Sequence, residues 1–298
     1  MNKLLLFGIC AVAIFAAAPP VADAAGFRGR WADRFGARAG GGAPAPALPN
    51  IAYGPDPAQV VDVYVPPRAH AAPVIVMVHG GGWRRGDKAL SPATGIKARH
   101  YMGKGWLLVA VNYRLLPVPP DQQAADVARA LAMVEDRAAS WGGDPSQIIL
   151  MGHSAGGHLV ALLSAHPAAW RDMGAKPWAG TVVLDSAAID LVQVMSGRHA
   201  RLYDDAFGTD RAYWTRNSPF HQLAADAVPM LIACAASRAD KPCDNAAPFV
   251  DKGRGMGKDF ALLPENKNHG EMNRDVGSDP AYTAAIDRFI ARALGRRP

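Results

Sequence analysis

The stretch Gly152-His153-Ser154-Ala155-Gly156 carries the clearest chemical signal in the sequence. An apolar run, 148–151, leads into it, and a helix-like segment, 158–165, follows at once. Strand, sharp turn and helix are the context in which a Gly-x-Ser-x-Gly pentapeptide exposes a nucleophilic serine. So tight a turn needs small neighbours, which Gly152 and Gly156 supply because neither has a Cβ. An ordinary glycine-rich turn is the bland alternative, and other residues must decide against it.

Serine is a poor nucleophile at neutral pH without a base, and the base needs an orienting acid. His269 is the best base among nine histidines. It lies in a polar stretch, 264–270, just after the last apolar run and hence at the same sheet edge as Ser154. For the acid, residues 233–244 offer Asp240, with Asp244 as the fallback. Cys234 and Cys243 bracket Asp240, which predicts a disulfide pinning that loop in an oxidising compartment. The chain order Ser, Asp, His is that of hydrolases built on an open parallel sheet.

A tetrahedral intermediate also needs N–H donors for its negative oxygen. His79-Gly80-Gly81-Gly82 follows a buried-strand pattern at the place where ligands meet such a sheet. The donors are assigned to Gly81, Gly82 and Ala155, with a register free to slip by one. A phosphate-gripping loop is disfavoured, because the Lys-Ser/Thr of a P-loop is missing. No His-Glu-x-x-His occurs, and His153 and His158 are five apart, so neither a metal nor a cofactor is implied.

The elements that must position these groups alternate. Strand-like runs fall at 51–53, 60–64, 72–78, 104–111, 148–151, 181–184, 229–234 and 260–263, and helical spacing at 122–141, 246–256 and 282–294. That alternation predicts an α/β fold, a mostly parallel sheet of about eight strands with helices on both faces. The segment 190–223 is irregular and rich in aromatics (Tyr203, Phe207, Tyr213, Trp214, Phe220), and it reads as a short cap insertion. Its aromatics would either line an acyl or aryl pocket or simply pack. Arg114 and Asp126 read as a structural pair.

The chain has 298 residues, 50% of them hydrophobic and 19% charged, enough for one large domain with a deep core. Residues 1–24 have the pattern of an export signal: Lys3, an apolar run over 4–18, Pro19-Pro20, then Ala22-Asp23-Ala24. The run is short for a bilayer span, so no stable membrane anchor is expected. Residues 25–49 read as a flexible basic linker and 50–298 as the catalytic domain. The formal charge of +6 is concentrated in that linker and at the tail, and no basic run is interleaved with aromatics, so nucleic acid is not an expected partner.

Taken together, His79-Gly80-Gly81-Gly82-Trp83, Asn112-Tyr113-Arg114-Leu115, Gly152-His153-Ser154-Ala155-Gly156-Gly157 and the late Asp and His resemble the esterase/lipase branch of the α/β-hydrolase superfamily. The likeness is to hormone-sensitive-lipase-like, feruloyl-esterase-like and kynurenine-formamidase-like carboxylesterases. It implies an α/β-hydrolase fold and a serine carboxylesterase acting on a small-molecule ester, which the leader pattern would export. Ser154, Asp240 and His269 would be its triad and Gly81, Gly82 and Ala155 its oxyanion donors. The longer, cysteine-flanked loop around Asp240 departs from that pattern, as does the lack of a large N-terminal cap. An amidase or arylformamidase with the same machinery, and a non-catalytic binding module on this scaffold, are the alternatives.

Overall fold

The computed structural model describes residues 43–89 and 92–296, and elements are numbered within them. The expected export signal and the linker up to residue 42 lie outside the described residues. The first strand, β1 (Leu48–Ala52), starts two residues inside the stretch expected to be linker. It is followed by β2 (Val60–Tyr64), β3 (Ala72–Val78), α1 (Pro92–Gly103), β4 (Leu107–Val111) and α2 (Pro120–Arg137). Next come β5 (Gly143–His153), α3 (Ala155–Ala165) and β6 (Gly180–Leu184). The segment expected to be irregular folds as four short helices, α4 (Leu191–Ser196), α5 (Arg201–Phe207), α6 (Arg211–Arg216) and α7 (Pro219–Gln222). The chain ends with β7 (Met230–Ala235), α8 (Pro242–Gly255), β8 (Phe260–Glu265), α9 (His269–Arg274) and α10 (Pro280–Ala293).

The eight strands form one sheet in the order β1-β2-β4-β3-β5-β6-β7-β8. β2 runs antiparallel to both of its neighbours, β1 and β4, and the five remaining pairs are parallel, which is the α/β-hydrolase arrangement. Strands covered on both faces send alternate side chains to opposite cores. Val74, Val76 and Val78 of β3 join a cluster with Leu131, Val134, Leu159 and Phe249, under α2, α3 and α8. Ile75 and Met77 join the other, with Tyr101, Met272 and Ile286 of α1, α9 and α10.

Parallel pairing also brings strand ends level. His153 pairs with Leu184, so the residue after each strand, Ser154 and Asp185, leaves the sheet at the same height. α2 begins with Pro120 in its first turn, where a missing N–H costs nothing, and Asp121 complements the helix dipole there. Among the described residues no helix is long and apolar enough to cross a membrane.

Candidate active site

Ser154 sits between β5 and α3 at φ +56°, a left-handed conformation unusual for a side-chain-bearing residue. The strain is over-determined by packing on both sides. A Cβ on Gly152 would lie 2.3 Å from the Gly156 carbonyl oxygen, and one on Gly156 would lie 2.3 Å from that of His79. The Ser154 amide donates to the Leu184 carbonyl at 2.9 Å, tying the turn to the end of β6.

His269 opens α9, where the sequence suggested only a loop. Asn268 caps the helix: its side chain accepts from the Glu271 amide at 3.0 Å, and the Glu271 carboxylate accepts from the Asn268 amide at 2.8 Å. This capping box satisfies two orphan donors and fixes the entry of the chain. His269 Nε2 lies 2.9 Å from Ser154 Oγ. His153 supports it from beneath, its Nε2–H donating to the His269 carbonyl at 3.0 Å and its ring 4.5 Å from the other ring. Burial, and then the neighbouring His269, pull the His153 pKa down to about 3, so it stays neutral.

The carboxylate at His269 Nδ1 is Asp185, not Asp240. Asp185 Oδ2 accepts from Nδ1–H at 2.6 Å, and its side chain is fully buried. Oδ1 accepts from the Ala235 amide at 2.8 Å. Burial pushes its pKa upward, but the hydrogen bonds from His269 and Ala235 and the Arg238 charge outweigh this and hold it below the usual carboxylate range. Asp240 turns instead to Arg238, whose Nη2 donates to its Oδ2, and its side chain is 47% exposed. Asp244, on α8, faces Lys241 at the surface.

Arg238 joins the two acids, since its Nη1 donates to Asp185 Oδ2 at 2.5 Å. That nitrogen is 2.8 Å from His269 Nδ1, but a ring nitrogen whose proton points to Asp185 cannot accept a second one. Sequence reasoning passed over both Asp185 and Arg238. The signal for Asp185 was its place directly after a buried strand, beside the strand that carries Ser154.

Gly81 and Gly82 adopt φ +131° and +61°. The amides of Gly81, Gly82 and Ala155 donate to no group among the described residues, which leaves them free to receive an anionic oxygen. Tyr113 steadies this loop, donating its hydroxyl to the His79 carbonyl at 3.0 Å and stacking on the His79 ring at 4.5 Å. Ser154, His269 and the three amide-bearing residues line one cleft of about 750 Å³. Leu202 and Tyr203 of α5 border it, whereas Phe207 is buried and packs on Trp83. The cap aromatics thus divide between lining and packing. Arg114 and Asp126 pair at 2.7 Å as expected, away from the cleft.

Cys234 and Cys243 form the expected disulfide, with Cα atoms 5.3 Å apart, closing the loop that carries Arg238 and Asp240. Among the described residues, no group of three His, Cys, Asp or Glu side chains could hold a metal ion.

Comparison with known families matches residues 61–241 to the family described as BD-FAE. This chain belongs to the BD-FAE family. The matched stretch contains Ser154, Asp185 and the glycine loop but stops short of His269. This BD-FAE chain is 30% identical over 245 residues to the probable carboxylic ester hydrolase LipM of Mycobacterium tuberculosis, a span of 74% of this chain and 54% of LipM. It is 39% identical over 119 residues to the carboxylesterase NlhH of the same species, 39% of this chain and 36% of NlhH. The BD-FAE chain therefore spans about half of LipM and about a third of NlhH in these matches. Among solved structures it is similar to a thermophilic esterase from Thermogutta terrifontis, with a TM-score of 0.64 at 25% identity, covering 78% of this chain and 86% of that one.

Proposed function

We propose that this protein is a serine carboxylesterase that hydrolyses small or aryl esters through an acyl-serine intermediate. One observation carries the reading: hydroxyl, imidazole and buried carboxylate are linked at 2.9 and 2.6 Å beside three uncommitted amides. Ser154 Oγ attacks the ester carbonyl while His269 Nε2 takes its proton. Asp185 holds the imidazole in the right tautomer and offsets its positive charge. The carbonyl oxygen, now an anion, settles on the amides of Gly81, Gly82 and Ala155, where each donor contributes about 3 kcal/mol to the barrier. His269 then gives the proton to the departing alcohol, and water, activated the same way, releases the acid and frees Ser154. Ester hydrolase names among the relatives, LipM and NlhH, support the same class.

A fluorophosphonate probe should label the wild type and not Ser154→Ala, and p-nitrophenyl butyrate turnover should vanish with the label. An unlabelled, inactive wild type would leave a binding module instead. The leader-like pattern of residues 1–24 and the Cys234–Cys243 disulfide support export. Intact-mass measurement of protein from the periplasm or medium should find a mature chain starting near Ala25. The full-length mass in the cytoplasm alone would refute export.

A further inference from the structure

We infer that the cleft prefers esters bearing a carboxylate, received by Arg85 and Asn273. This deepens the hydrolase reading of Ser154 and rests on it.

Three arginines line the cleft, and two are already engaged. Arg84 pairs with Asp205 at 2.8 Å, and Arg238 holds Asp185 and Asp240. The Arg85 guanidinium has no anion and no acceptor among the described residues. Its backbone is nevertheless held close against Gly81. The Arg85 amide donates to the Gly81 carbonyl at 3.2 Å, and a Cβ on Gly81 would meet the Arg85 carbonyl oxygen at 1.9 Å and its Cγ at 3.2 Å. The side chain of an arginine with no anionic partner among the described residues thus starts beside one of the amides proposed to hold the oxyanion.

Asn273, on α9, supplies a second donor. Lys97 is wholly buried in α1, and its ammonium donates to both the carbonyl and the Oδ1 of Asn273. The amide thus turns its oxygen to Lys97. The Nδ2 group, with two protons and no partner among the described residues, is left for the cleft that Asn273 lines. Of the three aspartates that line the cleft, Asp185 and Asp240 meet Arg238, and Asp87 accepts at Oδ1 from the Ala89 amide at 2.7 Å and at Oδ2 from Asn112 Nδ2 at 2.6 Å. These neutral donors favour the ionised form of Asp87, so it opposes an incoming anion and Arg85 must outweigh it.

The part of the lining that comes from the cap is different in kind. Leu202 and Tyr203 of α5 present mostly apolar surface there, and Leu202 Cδ1 comes within 3.9 Å of where a Gly82 Cβ would be. A cleft that combines apolar lining with one unpaired guanidinium and a free amide NH2 fits an ester with an apolar part and an acid group.

Matched esters decide this. One pair carries the charge on the acyl side (p-nitrophenyl hemiglutarate against p-nitrophenyl valerate), the other on the alcohol side (4-carboxyphenyl against 4-acetylphenyl butyrate). At low ionic strength the wild type should favour the charged member of one pair by about fivefold in kcat/KM, near the ceiling for a solvent-exposed ion pair. Which pair shows it tells which half of the ester meets Arg85. The ratio should fall to unity or below in Arg85→Gln, persist in part in Arg85→Lys, and shrink as salt is added. An equal ratio in wild type and Arg85→Gln, or no preference in a wild type that hydrolyses the neutral esters, overturns this inference and leaves the esterase standing. No hydrolysis and no fluorophosphonate labelling overturns both.

Discussion

The turn after β6 and the loop after β7 each present an aspartate to the same guanidinium, yet they hold it by different means. Asp185 follows directly on a buried strand, its amide donating to the Ala233 carbonyl at 2.7 Å and its two oxygens accepting from Ala235, His269 and Arg238. Asp240 sits five residues beyond β7, half-exposed, with Arg238 as its ion-pair partner. An acid that must orient an imidazole needs a fixed position and little water, and only the first place provides both. The second holds the cation that holds the first.

The hardest test of that difference is Asp185→Asn. An amide there can present its NH2 to Nδ1 and favour the wrong tautomer, so kcat should fall by about ten-thousandfold with folding preserved. Steady-state turnover with a circular dichroism control measures it. A variant that keeps a tenth of wild-type activity would return the role of acid to the loop after β7.

The disulfide belongs to that loop alone, so its removal should separate stability from chemistry. Closing so short a ring contributes about 3 kcal/mol by the chain-entropy account. Cys243→Ser should therefore unfold at distinctly lower urea, while the folded fraction loses less than tenfold in kcat. Asp185 at the end of β6 and His269 on α9 lie outside the ring, and Ala235, the donor to Asp185 Oδ1, stays paired within the sheet. Activity lost to the extent seen in Asp185→Asn would show that the two regions are not independent.

Much of this arrangement was readable from residue order. Strands 60–64 and 72–78 were located to the residue because runs such as Val74 to Val78 have no polar interruption. Ser154 and His269 were found because a strand end or a following loop marks the reactive edge of a parallel sheet. Asp185 sat at an equally marked position, but the cysteine-flanked loop around Asp240 offered more polar residues and drew the assignment. α1 gave no helical signal, since its buried residues include Thr94, Gly95 and Lys97 and no apolar face repeats. The cap helices, four to seven residues each, are too short for any period to show. α9 is as short, yet the Asn268 and Glu271 pair is a capping box that could have been read directly.

Arg238 sharpens the comparison further, because it belongs to one region by sequence and serves the other by contact. Replacing it with Met removes a cation from Asp185 Oδ2 and leaves the His269 bond in place. We expect about a tenfold loss in kcat/KM, the size of one charge-assisted hydrogen bond, with Arg238→Lys between the two. A full kinetic profile of both variants against the wild type checks the order.

The smallest effect should come from Asp240→Asn. Its carboxylate is half in water, and an ion pair so placed is worth little once solvent screens it and the side chain regains its freedom. It can act on turnover only by letting Arg238 shift, and Arg238 keeps its bond to Asp185 Oδ2 when Asp240 is neutral. A change of about fivefold or less in kcat/KM follows, and it should disappear in the Arg238→Met background, where nothing remains for Asp240 to hold. A double-mutant cycle over these two positions reads that coupling directly. Additive losses would mean that Asp240 reaches the imidazole by a route other than the arginine, and the loop after β7 would then have a share in the chemistry of its own.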